Sequence, residues 1–152
     1  MDVTAKRVIP LPPDQVAEYA MDWRHDHEWT QGIRHADLTK PADGAGDGTF
    51  GLGAEVTRTA YFLRKRIDYV LRVVGYEPPE LLDMKSVAGP MPMHVTYRFE
   101  KHRDGTLASI RIRGDASGFY KLAGPLMALQ VRSSIRKDLR DLERVLTRRE
   151  CQ

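Results

Sequence analysis

VRSSIRKDLRDLERVL, residues 131–146, carries its apolar side chains at Val131, Ile135, Leu139, Leu142 and Leu146. Spacings of four, four, three and four residues trace one stripe along an α-helix. Arg132, Arg136, Lys137, Arg140, Asp141 and Arg144 fill most of the remaining circumference. The helical pattern runs over Phe119–Arg149, with Gly124-Pro125 near its start, where proline's missing N–H costs least. Leu122, Leu126 and Leu129 fall on the side opposite the stripe, so the helix start is apolar all round. Internal packing against the Trp23–Trp29 segment is the preferred reading of those leucines. The other is a contact surface for an acyl partner or a second copy of the chain, giving a homodimer.

Almost everything upstream reads as strand. Val3–Ile9 is a first strand, closed by Pro10-Leu11-Pro12-Pro13. Two short helices follow: one from Pro13-Asp14 with Val16, Tyr19 and Ala20 on one face, and one over Asp22–Gln31 anchored by Trp23 and Trp29. Ile33–Thr39 is a strand, and Pro41–Gly53 a glycine- and aspartate-rich loop. Ala54–Leu63, the Ile67–Val74 stretch, Leu81–Val87, Met93–Glu100 and Ala108–Arg113 then alternate in the two-residue period of strands. Arg64-Lys65-Arg66, Glu77-Pro78-Pro79-Glu80, Ala88-Gly89-Pro90 and Asp104-Gly105 supply the turns. Val70 and Val74 break the alternation and predict partial cover of the second face. Short turns between successive strands imply an antiparallel meander. An α+β fold results: a curved antiparallel sheet of about six to seven strands must use the long helix to bury its apolar face.

The 152 residues fit a single domain over 1–152. A 41% hydrophobic and 30% charged composition is that of a soluble globular protein, and no apolar run reaches the ~20 residues of a membrane span. The N-terminal residues lack the apolar core of a signal peptide, so the cytoplasm is the expected compartment. The net charge of +3 is spread along the chain without a recognition helix or interleaved aromatics, which argues against nucleic acid as a partner. Cys151 is the one cysteine, which excludes an internal disulfide and a cysteine zinc site.

Several segments, in order, resemble the START-like superfamily, also called SRPBCC or Bet v 1-like, in its polyketide cyclase/dehydrase branch. They are Val8-Ile9-Pro10-Leu11-Pro12-Pro13-Asp14-Gln15-Val16, the Trp23 to Trp29 segment, and Leu52-Gly53-Ala54-Glu55-Val56. Val73-Val74-Gly75-Tyr76-Glu77-Pro78-Pro79-Glu80-Leu81, the Tyr97 to Thr106 hairpin and Asp138-Leu139-Arg140-Asp141-Leu142-Glu143 complete the set. The resemblance covers residues 3–148 and implies a helix-grip fold enclosing a cavity for a hydrophobic small molecule, lipid- or polyketide-like. It also implies binding or carrier proteins and aromatase/cyclase enzymes among its members, with no universal catalytic residue. A binding or carrier module is the preferred reading, a cyclase the alternative, and a protein-interaction or chaperone role through the leucine patch a further one; no cofactor is expected.

Strand alternation turns Val56, Phe62, Tyr69, Leu71, Val73, Met93, Val95, Tyr97, Ile110 and Ile112 inward, and the helix opposes them with Met127, Val131, Ser134 and Ile135. A filled core would use most of these residues equally well; a void among them is what the resemblance implies. Arg58 shares parity with Val56 and Phe62, so it points inward or snorkels to the rim. Arg58, Tyr69 and Tyr97 are the catalytic candidates, able to hold an enolate or donate a proton, although no base accompanies them by parity. Gln130 and Ser134 either add hydrogen bonds or face solvent. Met91, Phe119 and Tyr120 flank the helix entry as portal residues.

Three other patterns lead away from chemistry. His25-Asp26-His27-Glu28 resembles a metal cluster, but on a helix the two histidines diverge by about 200°, so it reads as a polar surface. His35, His94 and His102 show no partner in the sequence pattern, and no metal site is expected. Gly46-Asp47-Gly48-Thr49-Phe50-Gly51 spells a dinucleotide fingerprint, yet it opens a strand rather than a helix.

Overall fold

The computed structural model describes every residue except 31, 63, 91, 115–118 and 151–152, with backbone only at 62 and 119–125. Seven strands form one antiparallel sheet: β1 (Asp2–Ile9), β2 (Ile33–Lys40), β3 (Glu55–Phe62), β4 (Lys65–Glu77), β5 (Leu81–Ala88), β6 (Met93–His102) and β7 (Gly105–Gly114). Their order across the sheet is β1-β7-β6-β5-β4-β3-β2. Consecutive strands from β2 to β7 are neighbours, whereas β1 and β2 occupy opposite edges. The chain between them must therefore cross the sheet. It does so through α1 (Pro13–Ala20), a 3₁₀ turn at Trp23–His25, and α2 (Asp26–Trp29). Helix α3 (Phe119–Glu150) then lies against β1 and β7 and against α1 and α2. No helix among the described residues is long and apolar enough to cross a membrane.

Burial follows the two periodicities. Val131, Ile135, Leu139, Leu142 and Leu146 of α3 are all buried, as are Val3, Ala5 and Ile9 of β1 and Val95, Tyr97 and Phe99 of β6. Apart from buried Asp138, the described charged side chains of α3 reach solvent or tether the helix: Arg7 of β1 donates to Glu143 at 2.8 Å. Such a half-exposed pair is worth about 0–1 kcal/mol, so the apolar stripe dominates the docking of α3.

The departures from the sequence reading have local causes. Val74 breaks the alternation because it is the extra residue of a β-bulge: Val73 pairs with Met84 and Gly75 with Asp83. Val87 is the extra residue of a second bulge opposite Val70 and Leu71. Val74 and Val87 are exposed, so the cover expected on the second face reaches Val70 but not Val74. Lys65 and Arg66 belong to β4, and Arg64, at φ 67°, stands in the turn just before it. Gly105 begins β7 at φ 133°, where an added Cβ would meet the Ile9 carbonyl oxygen at 2.2 Å. Helix α3 begins at Phe119, so Pro125 falls in its second turn. Trp23 is only half-buried, leaving Trp29 as the buried tryptophan. Leu126 and Leu129 are 77% and 60% exposed, which overturns the expected internal packing of the helix start; the Leu122 side chain lies outside the described residues.

Leu142→Ala is expected to lower the unfolding free energy by about 2–5 kcal/mol through the cavity it leaves. Leu129→Ala, at an exposed position, should change it by no more than about 0.5 kcal/mol. Urea denaturation of both variants measures the contrast.

Candidate functional site

The sheet and α3 do not close on each other over their whole length. Along the β3–β4 hairpin the cross-strand pairs run Val56 with Leu71, Arg58 with Tyr69, and Ala60 with Ile67. The first pair is fully buried in core, together with Val73, Phe99 and Ala108. The other two pairs line a pocket of about 250 Å³. Met93, Val95 and Tyr97 of β6, Ile110 and Ile112 of β7, and Met1, Thr30, Gly32 and Ile33 complete the wall on the sheet side. Gln130, Val131, Ser134, Ile135 and Asp138 of α3 close it. Tyr61 and Gln130 are exposed lining residues and mark the rim.

Eleven of the expected cavity residues thus line one pocket: Arg58, Tyr69, Met93, Val95, Tyr97, Ile110, Ile112, Gln130, Val131, Ser134 and Ile135. Val56, Leu71, Val73 and Met127 do not; they fill core outside it. Alternation assigns a face, but position along the strand determines whether packed core or the pocket lies opposite. The side chains of Phe62, Phe119 and Tyr120, and all of Met91, lie outside the described residues.

The polar centre is an ion pair. Arg58 donates from Nε and Nη2 to Oδ2 of Asp26, at 3.1 and 2.8 Å. The two side chains are 6% and 3% exposed. Arg58 Nη2 also reaches the Tyr97 hydroxyl at 3.5 Å. The geometry follows from local structure. In the single turn of α2, Asp26 and Trp29 are three residues apart and share the inward face, while His27 and Glu28 point out. Trp29 packs tilted on Tyr97, ring centroids 5.6 Å apart, which holds the turn over β6. The segment read as a polar surface therefore delivers a carboxylate to the interior. That carboxylate corrects the expectation that no acid faces inward, and Asp138, 4% exposed on the pocket wall, corrects it again.

Burial pushes the Asp26 carboxyl up from its ordinary range, against the pull of Arg58. Burial also opposes the charge on Arg58, but Asp26 and the neighbouring tyrosines outweigh it and hold the proton firmly. An arginine does not deprotonate in a protein, so Asp26 is its buried counter-charge. Burial raises the Tyr69 hydroxyl and pushes Tyr97 up to about 12; the charges of Asp26 and Asp138 add to both shifts. Both phenols are hydrogen-bond donors at neutral pH. The Thr30 hydroxyl is buried with no hydrogen-bond partner among the described residues, and Thr30 lines the same pocket. Gly32 at the rim has φ 85°, and a Cβ there would stand 2.7 Å from the Tyr61 carbonyl oxygen.

Among the described residues no group of three or more His, Cys, Asp and Glu side chains gathers as a metal site. His25 stacks on Tyr19 at 4.2 Å, and His35 contacts Asp37 at 2.6 Å. His94 has partners the sequence pattern did not suggest: Asp83 on β5 and, at 2.9 Å, Arg113 on β7. These lie on the face of β6 away from Val95 and Tyr97. The glycine-rich loop runs straight into β3, and its Phe50 packs edge-on against Tyr76.

Asp26→Asn leaves Arg58 buried without a counter-charge and should cost about 3–5 kcal/mol of stability. The double change Asp26→Leu with Arg58→Leu should cost less than that single one, as urea denaturation would reveal. Tyr97 gives a pH dependence of definite sign. Between pH 10.0 and about 12 the unfolded chain loses the phenolic proton that the folded chain keeps. Its contribution is complete below that window and is lost as pH rises through it. Tyr97→Phe should therefore flatten the alkaline decline in urea stability.

With this geometry in place, known proteins supply a frame. The profile of a family described as polyketide cyclase / dehydrase and lipid transport matches residues 1–147. No curated protein matches the chain. Among solved structures, TTHA0849 of Thermus thermophilus superposes with a TM-score of 0.80 at 16% identity, covering 97% of each chain. A START superfamily protein from Mycobacterium smegmatis gives 0.79 at 12% identity, again over 97% of each. Ginseng major latex-like protein 151 from Panax ginseng gives 0.71 at 12%, covering 94% of this chain and 95% of its own. At these identities the likeness concerns the fold, which is the helix-grip arrangement of a curved sheet around a long helix. The chain belongs to the polyketide cyclase / dehydrase and lipid transport family, on a START-like fold.

Proposed function

We propose that the protein binds a small, mainly apolar molecule in the pocket between the sheet and α3. The observation that carries this reading is the pocket's composition: an apolar wall from Val95, Ile110, Ile112, Val131 and Ile135 around a buried polar group of Arg58, Tyr69 and Tyr97. A few placed polar groups in an apolar concavity are the usual makings of a ligand site. At about 250 Å³ it is larger than the ~150 Å³ that admits benzene and smaller than the ~300–1,000 Å³ of drug-sized sites. The ligand is accordingly of one or two rings, or one short chain.

A second reading, a cyclase or dehydratase, has one observation in its favour. Asp138 and the hydroxyls of Tyr69 and Tyr97 face the same space, a carboxylate and two phenolic donors. That pairing would let Asp138 remove a proton next to a carbonyl while a phenol stabilises the enolate oxygen.

One experiment separates the two. The gently purified protein is expected to carry a small molecule in native mass spectrometry, released unchanged on denaturation. A cyclase would instead convert an added linear polyketide to a cyclic product of equal mass, and a dehydratase to one lighter by one water. A protein that retains nothing and converts nothing would refute both readings.

A further inference from the structure

Resting on that binding reading, we infer that the pocket selects a neutral ligand, one whose polar end is a hydroxyl or carbonyl, and rejects carboxylates and phosphates. The reason is how its one strong cation is employed. Among the described side chains lining the pocket, Arg58 is the only cation. From sequence alone an inward arginine is an anion receptor, since its planar fork matches a carboxylate. Here its Nε–Nη2 edge is already engaged and its charge matched: both nitrogens converge on Oδ2 of Asp26, and Nη2 also reaches the Tyr97 hydroxyl.

A second carboxylate, Asp138, is buried in the same wall. The Met1 ammonium, also near the rim, donates to the Gly114 carbonyl at 2.9 Å. The interior therefore holds one guanidinium and two carboxylates. An anionic ligand would give up its water shell and meet, among the described side chains of the wall, no cation that lacks a carboxylate partner. A neutral alcohol or ketone loses far less on entering. It finds as hydrogen-bond partners the Tyr97 phenol and the Thr30 hydroxyl, which has none among the described residues. Asp26 thus acts as a built-in occupant of the arginine, setting specificity from behind the pocket.

The test uses two probes of equal size, naphthylmethanol and naphthoate, titrated calorimetrically into the wild-type protein at neutral pH. Naphthylmethanol is expected to bind at least about tenfold more tightly, a difference of about 1.4 kcal/mol. Equal or tighter binding of naphthoate would overturn the inference while leaving the pocket a ligand site. If neither probe binds and native mass spectrometry finds no retained molecule, the binding reading itself falls, and this inference with it. Asp26→Asn supplies the converse. Where its circular dichroism matches the wild type, naphthoate affinity should rise at least about tenfold as Arg58 is released; no gain would also overturn the inference. Asp26→Leu with Arg58→Leu removes both charges, and it should keep the preference for naphthylmethanol if Asp26 acts only by neutralising Arg58.

Discussion

The apolar stripe of α3 can seal only part of the sheet, and the molecule is arranged around that limit. Its C-terminal half presents Leu139, Leu142 and Leu146, which are buried to 2% exposure or less. Around Gln130–Asp138 the stripe is flanked by shorter or polar side chains at Gln130, Ser134 and Asp138, spaced by four residues. The sheet faces this half with Arg58, Tyr69 and Tyr97 as well as with aliphatics. Where both partners are wholly apolar they pack to a core, and where both carry polar groups they stand apart around a pocket. A stable core at one end is what permits an incompletely filled space at the other.

The Arg58–Asp26 pair belongs to the second half of that division. A buried ion pair seldom adds net stability over well-packed apolar residues, because both ions lose their water. Its presence is thus poorly explained by stability alone. It ties α2 to β3 across 32 residues of sequence, and places Trp29 against Tyr97. The pair fixes the crossing segment over the pocket as well as its electrostatics. Position and charge are set by the same contact.

How much of this the sequence discloses depends on the range of the interaction. Strand parity finds Arg58, Tyr69 and Tyr97, and helix periodicity finds Val131 and Ile135, because each needs only local spacing. Val74 misleads parity for a local reason too, since a bulge inserts one residue and turns the strand. Asp26 is harder. Its three-residue offset from Trp29 is a usable signal once α2 is taken as helical, and the inward Arg58 needs a counter-charge; together they identify the pair. Asp138 lies within the stripe, three residues after Ile135, and was legible as a charge on the apolar face. The split between core and pocket was not legible at all. Val56 and Arg58 are equivalent by parity, and only their places along β3 separate core from pocket wall.

That last distinction bears on what the family's fold can and cannot say. The same curved sheet and helix could enclose an arginine open to anions or one already neutralised, with no change in strand order or in the α3 stripe. The difference lies in a single carboxylate on a four-residue helix between β1 and β2. Because α2 spans the one long crossing of an otherwise stepwise sheet, its sequence is only loosely bound by strand pairing. Substituting there alters the charge behind Arg58 while leaving the ladder intact. On the proposed binding reading, the crossing segment would set the ligand class of this chain, and the sheet would supply the shape in which that choice is expressed.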